Sequence, residues 1–468
     1  MVQPVAPEQA GFGGRLRSSL PAVEIALGLF SSSWGEVFGI FALATDGNDS
    51  TELDRGRQTM EQWERELEGL CERLERRHIH ARDVISKLTQ QEIELPSWAV
   101  GNSGTRYGTF RNRGAAQSIW HKIDDCAEIN RVAGISPIMA SHVSWDKTDD
   151  GRFEPVRQYA AEKGLRIGTV HPNTFMGQQY RFGSVCNPFE DVRRNTIDHF
   201  AQCVRIAREM GSTSIGIWLA DGTNYPGQDS LRGRKKRLFE GLAALYEALD
   251  PEMTLLIEYK PFEPSFYTTD LMDWGMSFMV ASRLGARAKV LVDIGHHLPG
   301  ANIEHIIAIL LDEQKLGGFH LNSRKYADDD LMAGSVNPLE LFLIYDQIVD
   351  AEYDGVSHRI TYMLDQSHNI EPSIEGIITS LMNTQTAYAK ALIVDRPSLR
   401  QAQQAGDVLR ANRIVMDAFE TDVRPLLSKV RTEMGREVDP LAEYRRGGYA
   451  EKIALERMDR GINTLGGG

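Results

Sequence analysis

A chain of 468 residues with 42% hydrophobic and 25% charged side chains can build a sizeable core and carries no low-complexity bias, which excludes a disordered or fibrous protein. The formal net charge of −13 argues against a nucleic-acid partner, because a phosphate-binding surface needs a surplus of Lys and Arg to release counterions. Cys71, Cys126, Cys186 and Cys203 lie far apart with no CxxC pair, so neither a zinc ribbon nor a disulfide framework is expected and a reducing cytoplasm fits best.

Residues 22–45 are apolar-rich behind Arg15 and Arg17, but Glu24 and Glu36 interrupt them. A carboxylate inside a signal core or a membrane span is costly, so residues 1–50 read as an N-terminal extension and no membrane partner is expected. Over residues 52–87, Leu53, Met60, Trp63, Leu67, Leu70, Leu74 and Ile79 recur at helical spacing among charges and predict one long amphipathic helix. Short β-type runs then alternate with helical patterns. Strands are expected at 98–100, 138–142, 166–170, 214–218, 254–258, 289–293, 318–320 and 360–365, with helical stretches such as 192–210, 238–249 and 303–311 between them. Eight such units predict the α/β class, a (β/α)8 TIM barrel over residues 51–395 with a leading helix. Helical patterns at 374–393 and at 399–434, the latter broken by Pro425, precede a polar tail from Asp439; residues 396–468 are expected to form a C-terminal helical arm that contacts other subunits.

The carboxylates and histidines fall where such a barrel does chemistry, at the C-terminal ends of its strands. Glu258, Asp293, His320 and Asp365 close the fifth to eighth strands, one ligand-type side chain each. Taken singly, each reads more readily as a helix cap or a loop contact. Four in register point instead to a shared centre, since unpaired carboxylates gathered there would repel one another. Three carboxylates and an imidazole suit Mn²⁺, Mg²⁺ or Co²⁺ better than a structural zinc.

A second group stands beside the first: His296 follows Asp293 by three residues, and Asp328 and Asp330 alternate in an expected extended loop that turns Asp329 away. A second ion can share Asp293, while His297 is expected to support its neighbour. Lys260, two residues past Glu258, reads either as a surface lysine or, favoured by its place beyond a buried strand end, as a group that polarises a carbonyl or moves a hydroxyl proton. Across the ring, His142 and Trp145 end the second strand and Trp218 the fourth; they fit a sugar-binding wall, and each also fits as core.

Several of these motifs recur together in a known family. Glu258-Tyr-Lys260-Pro-Phe-Glu-Pro264, Asp293-Ile-Gly-His296-His297, Gly318-Phe-His320, Lys325-Tyr-Ala-Asp328-Asp-Asp330 and Asp365-Gln-Ser-His-Asn369, with Thr105-Arg-Tyr107, resemble L-rhamnose isomerases of the broad-specificity bacterial type, xylose-isomerase-like TIM-barrel sugar isomerases, over residues 63–449. The resemblance implies a homotetramer converting aldose to ketose, L-rhamnose to L-rhamnulose in the first instance, with two ions per subunit of Mn²⁺, or Mg²⁺, Co²⁺ or Zn²⁺. It implies a first ion on Glu258, Asp293, His320 and Asp365, a second on Asp293, His296, Asp328 and Asp330, and substrate contacts from Lys260, His142, Trp145, Trp218 and Tyr107. Lys260, Asp365 and His142 are the expected catalytic groups, and the hydrogen moves between C2 and C1 either directly or through an enediol relayed by a base such as Asp365. The chain departs at Asn322-Ser-Arg-Lys325, where the family has an acidic residue after the Asn, and at Tyr107, where Phe is common. An isomerase of another aldose on the same site is the first alternative; a metal-dependent endonuclease on the same barrel and a non-catalytic sugar-binding barrel are the remoter rival readings.

Overall fold

The structure, a computed structural model, describes residues 50–102, 104–105, 108–262, 266–356 and 358–457. Nearly all of the expected extension, and Tyr107, therefore lie outside the described residues. The chain divides into two units, Met1–Gln58 and Thr59–Gly468, and the barrel and its site belong to the second.

The single helix expected over 52–87 is in fact two, α1 (Ser50–Glu75) and α2 (Ala81–Thr89). His78 adopts φ 58 between them, and Arg77 and Ile79 both return their amides to the Leu74 carbonyl at 2.8 and 3.0 Å. A left-handed residue with such closing bonds ends a helix. Helical periodicity does not reveal it when the residue is not glycine. Leu70 and Leu74 of α1 and Val84, Ile85 and Leu88 of α2 all enter the core.

Eight strands close a fully parallel barrel: β1 (Glu94–Pro96), β2 (Ile138–His142), β3 (Arg166–His171), β4 (Ser214–Ile217), β5 (Thr254–Glu258), β6 (Ala288–Asp293), β7 (Leu316–Leu321) and β8 (Thr361–Leu364). The ring closes where β1 pairs with both β2 and β8. The helices that follow them in turn are α3 (Ile119–Ala133), α4 (Glu154–Glu162), α5 (Glu190–Met210), α6 (Leu231–Ala248), α7 (Trp274–Leu284), α8 (Ile303–Asp312), α9 (Pro338–Tyr353) and α10 (Ser373–Leu392). Strands such as Thr254-Leu-Leu-Ile are near-continuous apolar runs because a parallel sheet inside a ring of helices is covered on both faces.

The first strand departs from expectation. It lies at Glu94–Pro96, not at 98–100, where Ala99 N bonds Pro96 O at 3.1 Å and Gly101 N bonds Trp98 O at 3.1 Å in successive turns. Glu94 hides it, for a carboxylate is an unusual barrel filling. The side chain is buried, accepts Thr169 N at 3.0 Å, and occupies room left by Gly168, where a Cβ would stand 2.5 Å from its carboxyl carbon.

After α10 come α11 (Arg396–Gln404), α12 (Val408–Glu420), α13 (Arg424–Glu433), α14 (Pro440–Arg446) and α15 (Tyr449–Glu456), so the pattern over 399–434 breaks twice and the expected polar tail is helical as far as Glu456. These helices pack on their own barrel. Arg457 forks onto buried Asp125 of α3 at 2.7 and 2.8 Å, and Tyr449 OH donates to the same carboxylate at 2.8 Å. Tyr449→Phe, which removes one donor from a buried carboxylate, is expected to lower the unfolding free energy by about 1–2 kcal/mol. Urea unfolding reads it, and an unchanged midpoint would mean the tail is not part of the cooperative unit. Among the described residues no helix is long and apolar enough to cross a membrane.

Candidate active site

Strand register brings the expected ligands to one level. Asp293 of β6 is paired with His320 of β7, Leu321 with Leu364 of β8, and Asp365 follows, its amide on Leu321 O at 3.1 Å. Glu258 ends β5 beside Leu291. The four side chains meet at the C-terminal mouth with ligand atoms all within 4.8 Å of one another. His320 Nδ1 lies 3.1 Å from Glu258 Oε1, 3.2 Å from Asp365 Oδ2 and 3.7 Å from Asp293 Oδ2.

Asp293, His296 and Asp328 form a second group, His296 Nε2 standing 3.4 Å from Asp328 Oδ1. His296 reaches it by a turn through Gly295, where a Cβ would stand 3.0 Å from Asp328 Oδ1 and 3.1 Å from Asp293 Oδ1 and crowd both carboxylates. His297 stands outside the cavity lining, with Nε2 2.6 Å from the Tyr259 hydroxyl. Asp330 lines the same cavity but stands outside both tight groups, with Ser367 Oγ donating to its Oδ2 at 3.3 Å. The loop is not the extended run expected. Asp330 has φ 48, and Asp329 turns back to accept Lys325 N and Tyr326 N, so Asp328 and Asp330 converge through a turn instead of a period of two.

The charges at this mouth are out of balance. Burial, with Glu258 and Asp328 adding to it against the opposing pull of His296, pushes Asp293 up to about 7. Burial and the charges of Asp328, Asp365 and Asp293 push Asp330 well up. Burial would also raise Glu258, but His320 and His296 outweigh it and hold that carboxyl low. Oδ1 of Asp293 accepts Gly295 N at 2.7 Å and Asn322 Nδ2 at 3.0 Å, whereas Oδ2, buried at the centre, has no hydrogen-bond partner. Crowded carboxylates, an orphaned oxygen and a glycine cradle fit divalent cations, whose charge would relieve the repulsion.

Lys260 Nζ pairs with Asp328 Oδ2 at 2.7 Å and stands 5.2 Å from the centre of the Trp218 ring. Across the cavity, about 180 Å³, His142 stacks on Trp145 at 3.9 Å and Phe175 meets Trp218 edge-on at 4.9 Å. Burial holds the His142 imidazole well below its ordinary range, so it is neutral. Every expected site residue that the structure describes lines this cavity except Asp293, which lies beneath it. A larger hollow of about 610 Å³ opens at the opposite mouth among Glu92, Arg166 and Lys289, away from both ligand groups.

Trp98, His171 and Phe175 also line the site and were not expected there. Trp98 Nε1 donates to Asp365 Oδ1 at 3.0 Å; with the first strand expected at 98–100, it read as the start of a strand instead of the loop just past a strand end. His171 is the last residue of β3, one beyond the expected end at Val170, and the strand-end rule applied there would have found it.

A family model described as a xylose isomerase-like TIM barrel matches residues 123–356. A probable sugar isomerase of Mesorhizobium japonicum is 40% identical over 84% of this chain and 92% of its own length. A probable sugar isomerase of Rhizobium meliloti is 39% identical over the same shares. Among solved structures, a 3-keto-D-glucoside 4-epimerase from E. coli is 14% identical, covering 63% of this chain and all of its own, at a TM-score of 0.46.

Proposed function

We propose, for a chain that belongs to the xylose isomerase-like TIM-barrel family and is a sugar isomerase or epimerase of that type, that it interconverts an aldose and its ketose, with L-rhamnose and L-rhamnulose as the first pair to test. The observation that carries this reading is the pair of ligand groups joined at Asp293, with Lys260 on one side and an aromatic and imidazole wall on the other. Glu258, Asp293, His320 and Asp365 would hold one divalent cation, and Asp293, His296 and Asp328, with Asp330 beside them, a second. When bound, such ions supply Lewis acidity that polarises a carbonyl and steadies negative charge on adjacent sugar oxygens.

The protein's own groups do the rest. Trp98, Trp145, Trp218 and Phe175 offer aromatic faces to the apolar faces of the sugar and keep water from the reacting carbons. Neutral His142 accepts or returns a proton as the pyranose opens. Lys260 donates a hydrogen bond to the oxygen on which charge develops, and Asp365, steadied by the Trp98 indole, is the base of the enediol route. The same reading carries a homotetramer with two ions per subunit, a barrel over residues 51–395, and residues 396–468 as the arm that meets neighbouring subunits.

Chelator-stripped protein incubated with L-rhamnose, L-mannose, L-lyxose or D-allose is expected to form no ketose until Mn²⁺, Mg²⁺ or Co²⁺ is returned, as followed by NMR. Conversion of none of them with any of these ions would remove the isomerase assignment. In D₂O, deuterium at the transferred position would mark the enediol route.

A further inference from the structure

Arg234 of α6 is fully buried, a costly place for a guanidinium, and segments following three different strands close around it. Its Nε donates to both Asp270 oxygens at 3.0 Å and its Nη2 to Asp270 Oδ2 at 2.7 Å, while Nη1 donates to Asp229 Oδ2 at 3.1 Å and to the Phe182 carbonyl at 3.3 Å. Alongside, Asp221 accepts Ser184 N at 2.6 Å, Ser184 Oγ at 2.7 Å and Cys186 N at 2.8 Å. Cys186, Asp221 and Asp270 lie close enough to share an ion, but these donors already occupy both carboxylates, so the cluster is a brace.

The brace leads to Lys260. Asp270 N donates to Asp221 O at 3.0 Å, and the residues flanking Asp270 clamp the lysine backbone: Thr269 Oγ1 donates to Lys260 O at 2.6 Å, and Lys260 N donates to Leu271 O at 2.9 Å. Gly222 permits the close pairing of Gly222–Thr223 with Thr268–Thr269, since a Cβ there would stand 2.5 Å from Thr268 O. The barrel ladder cannot do this work, because β5 ends at Glu258, two residues short. The contacts at the other end of the side chain, with Asp328 and Trp218, leave little slack for a backbone that drifts.

We propose that Arg234 and Asp270 are positioning residues, a buried ion pair that fixes where the Lys260 ammonium stands in the pocket although neither residue lines it. This rests on the reading of Lys260 as a substrate-contacting group. A misplacement of about 1 Å at such a group costs up to about a hundredfold in rate.

A double-mutant cycle tests the inference. Asp270→Asn keeps the volume and removes the charge that anchors Arg234. It is expected to lower kcat about tenfold, with KM and calorimetric Mn²⁺ affinity changed less than about twofold, because the ligands on β5 to β7 are held by the barrel ladder. In a Lys260→Met background the same change should lower kcat by less than about twofold, since nothing remains to be positioned. An equal tenfold loss in both backgrounds, or no loss in the wild-type one, overturns the brace. Lys260→Met alone leaving kcat untouched would refute the reading of the lysine and the brace with it, and is seen without any change at Asp270. Should Asp270→Asn fail to fold, Thr269→Val, which deletes only the hydroxyl on the Lys260 carbonyl, carries the same cycle with the same expectations.

Discussion

Asp293→Asn is expected to lower kcat/KM by more than about 10³-fold and to abolish Mn²⁺ binding at both ligand groups, while the metal-free protein stays folded. The reason lies in how the two carboxylate oxygens are used. Oδ1 is committed to Gly295 N and Asn322 Nδ2, so an Asn amide would keep its carbonyl oxygen there and place its NH₂ where Oδ2 now stands without a partner. Two hydrogens would then point at the place where a cation needs a lone pair. Removing one charge from this crowd of buried carboxylates relieves repulsion, so the melting temperature of the metal-free variant should match or exceed that of the metal-free parent. What is lost is the stabilisation that ligand binding to the native state alone provides, about 2.7 kcal/mol at an ion concentration 100 times Kd. Scanning calorimetry with and without Mn²⁺ reads both effects. Activity near that of the parent would remove Asp293 as the shared ligand.

Lys260→Met is expected to lower kcat by about 10²–10³-fold with Mn²⁺ affinity retained. Methionine fills much of the same space over Trp218 but presents no donor and no charge. Asp328, relieved of the ammonium 2.7 Å away, keeps its negative charge undivided for an ion, so metal affinity should hold or tighten. Loss of Mn²⁺ binding together with activity would show that the lysine supports the ligand cluster and does not act on the sugar.

Much of the site was legible because a parallel barrel converts a one-dimensional fact into a three-dimensional one. A polar residue that ends an apolar strand reaches the same mouth as every other strand end, so Glu258, Asp293, His320 and Asp365 could be grouped from spacing alone. Where the local pattern was atypical the same logic failed. Glu94 inside the barrel disguised β1, which took Trp98 out of view as a partner of Asp365. Ending β3 one residue early cost His171.

The amino-acid sequence by itself determined the class of the fold, its eight repeating units and most of the candidate cation site, since apolar runs, helical spacing and the side chains at strand ends are written in consecutive residues. Only the tertiary structure decided how the loop through Asp330 turns, that Trp98 meets Asp365, and that Arg234 and Asp270 stand behind Lys260. Those outcomes depend on contacts between residues far apart in the chain, such as Trp98 with Asp365 and Arg234 with Asp270, and such pairs carry no periodicity for a linear reading to detect.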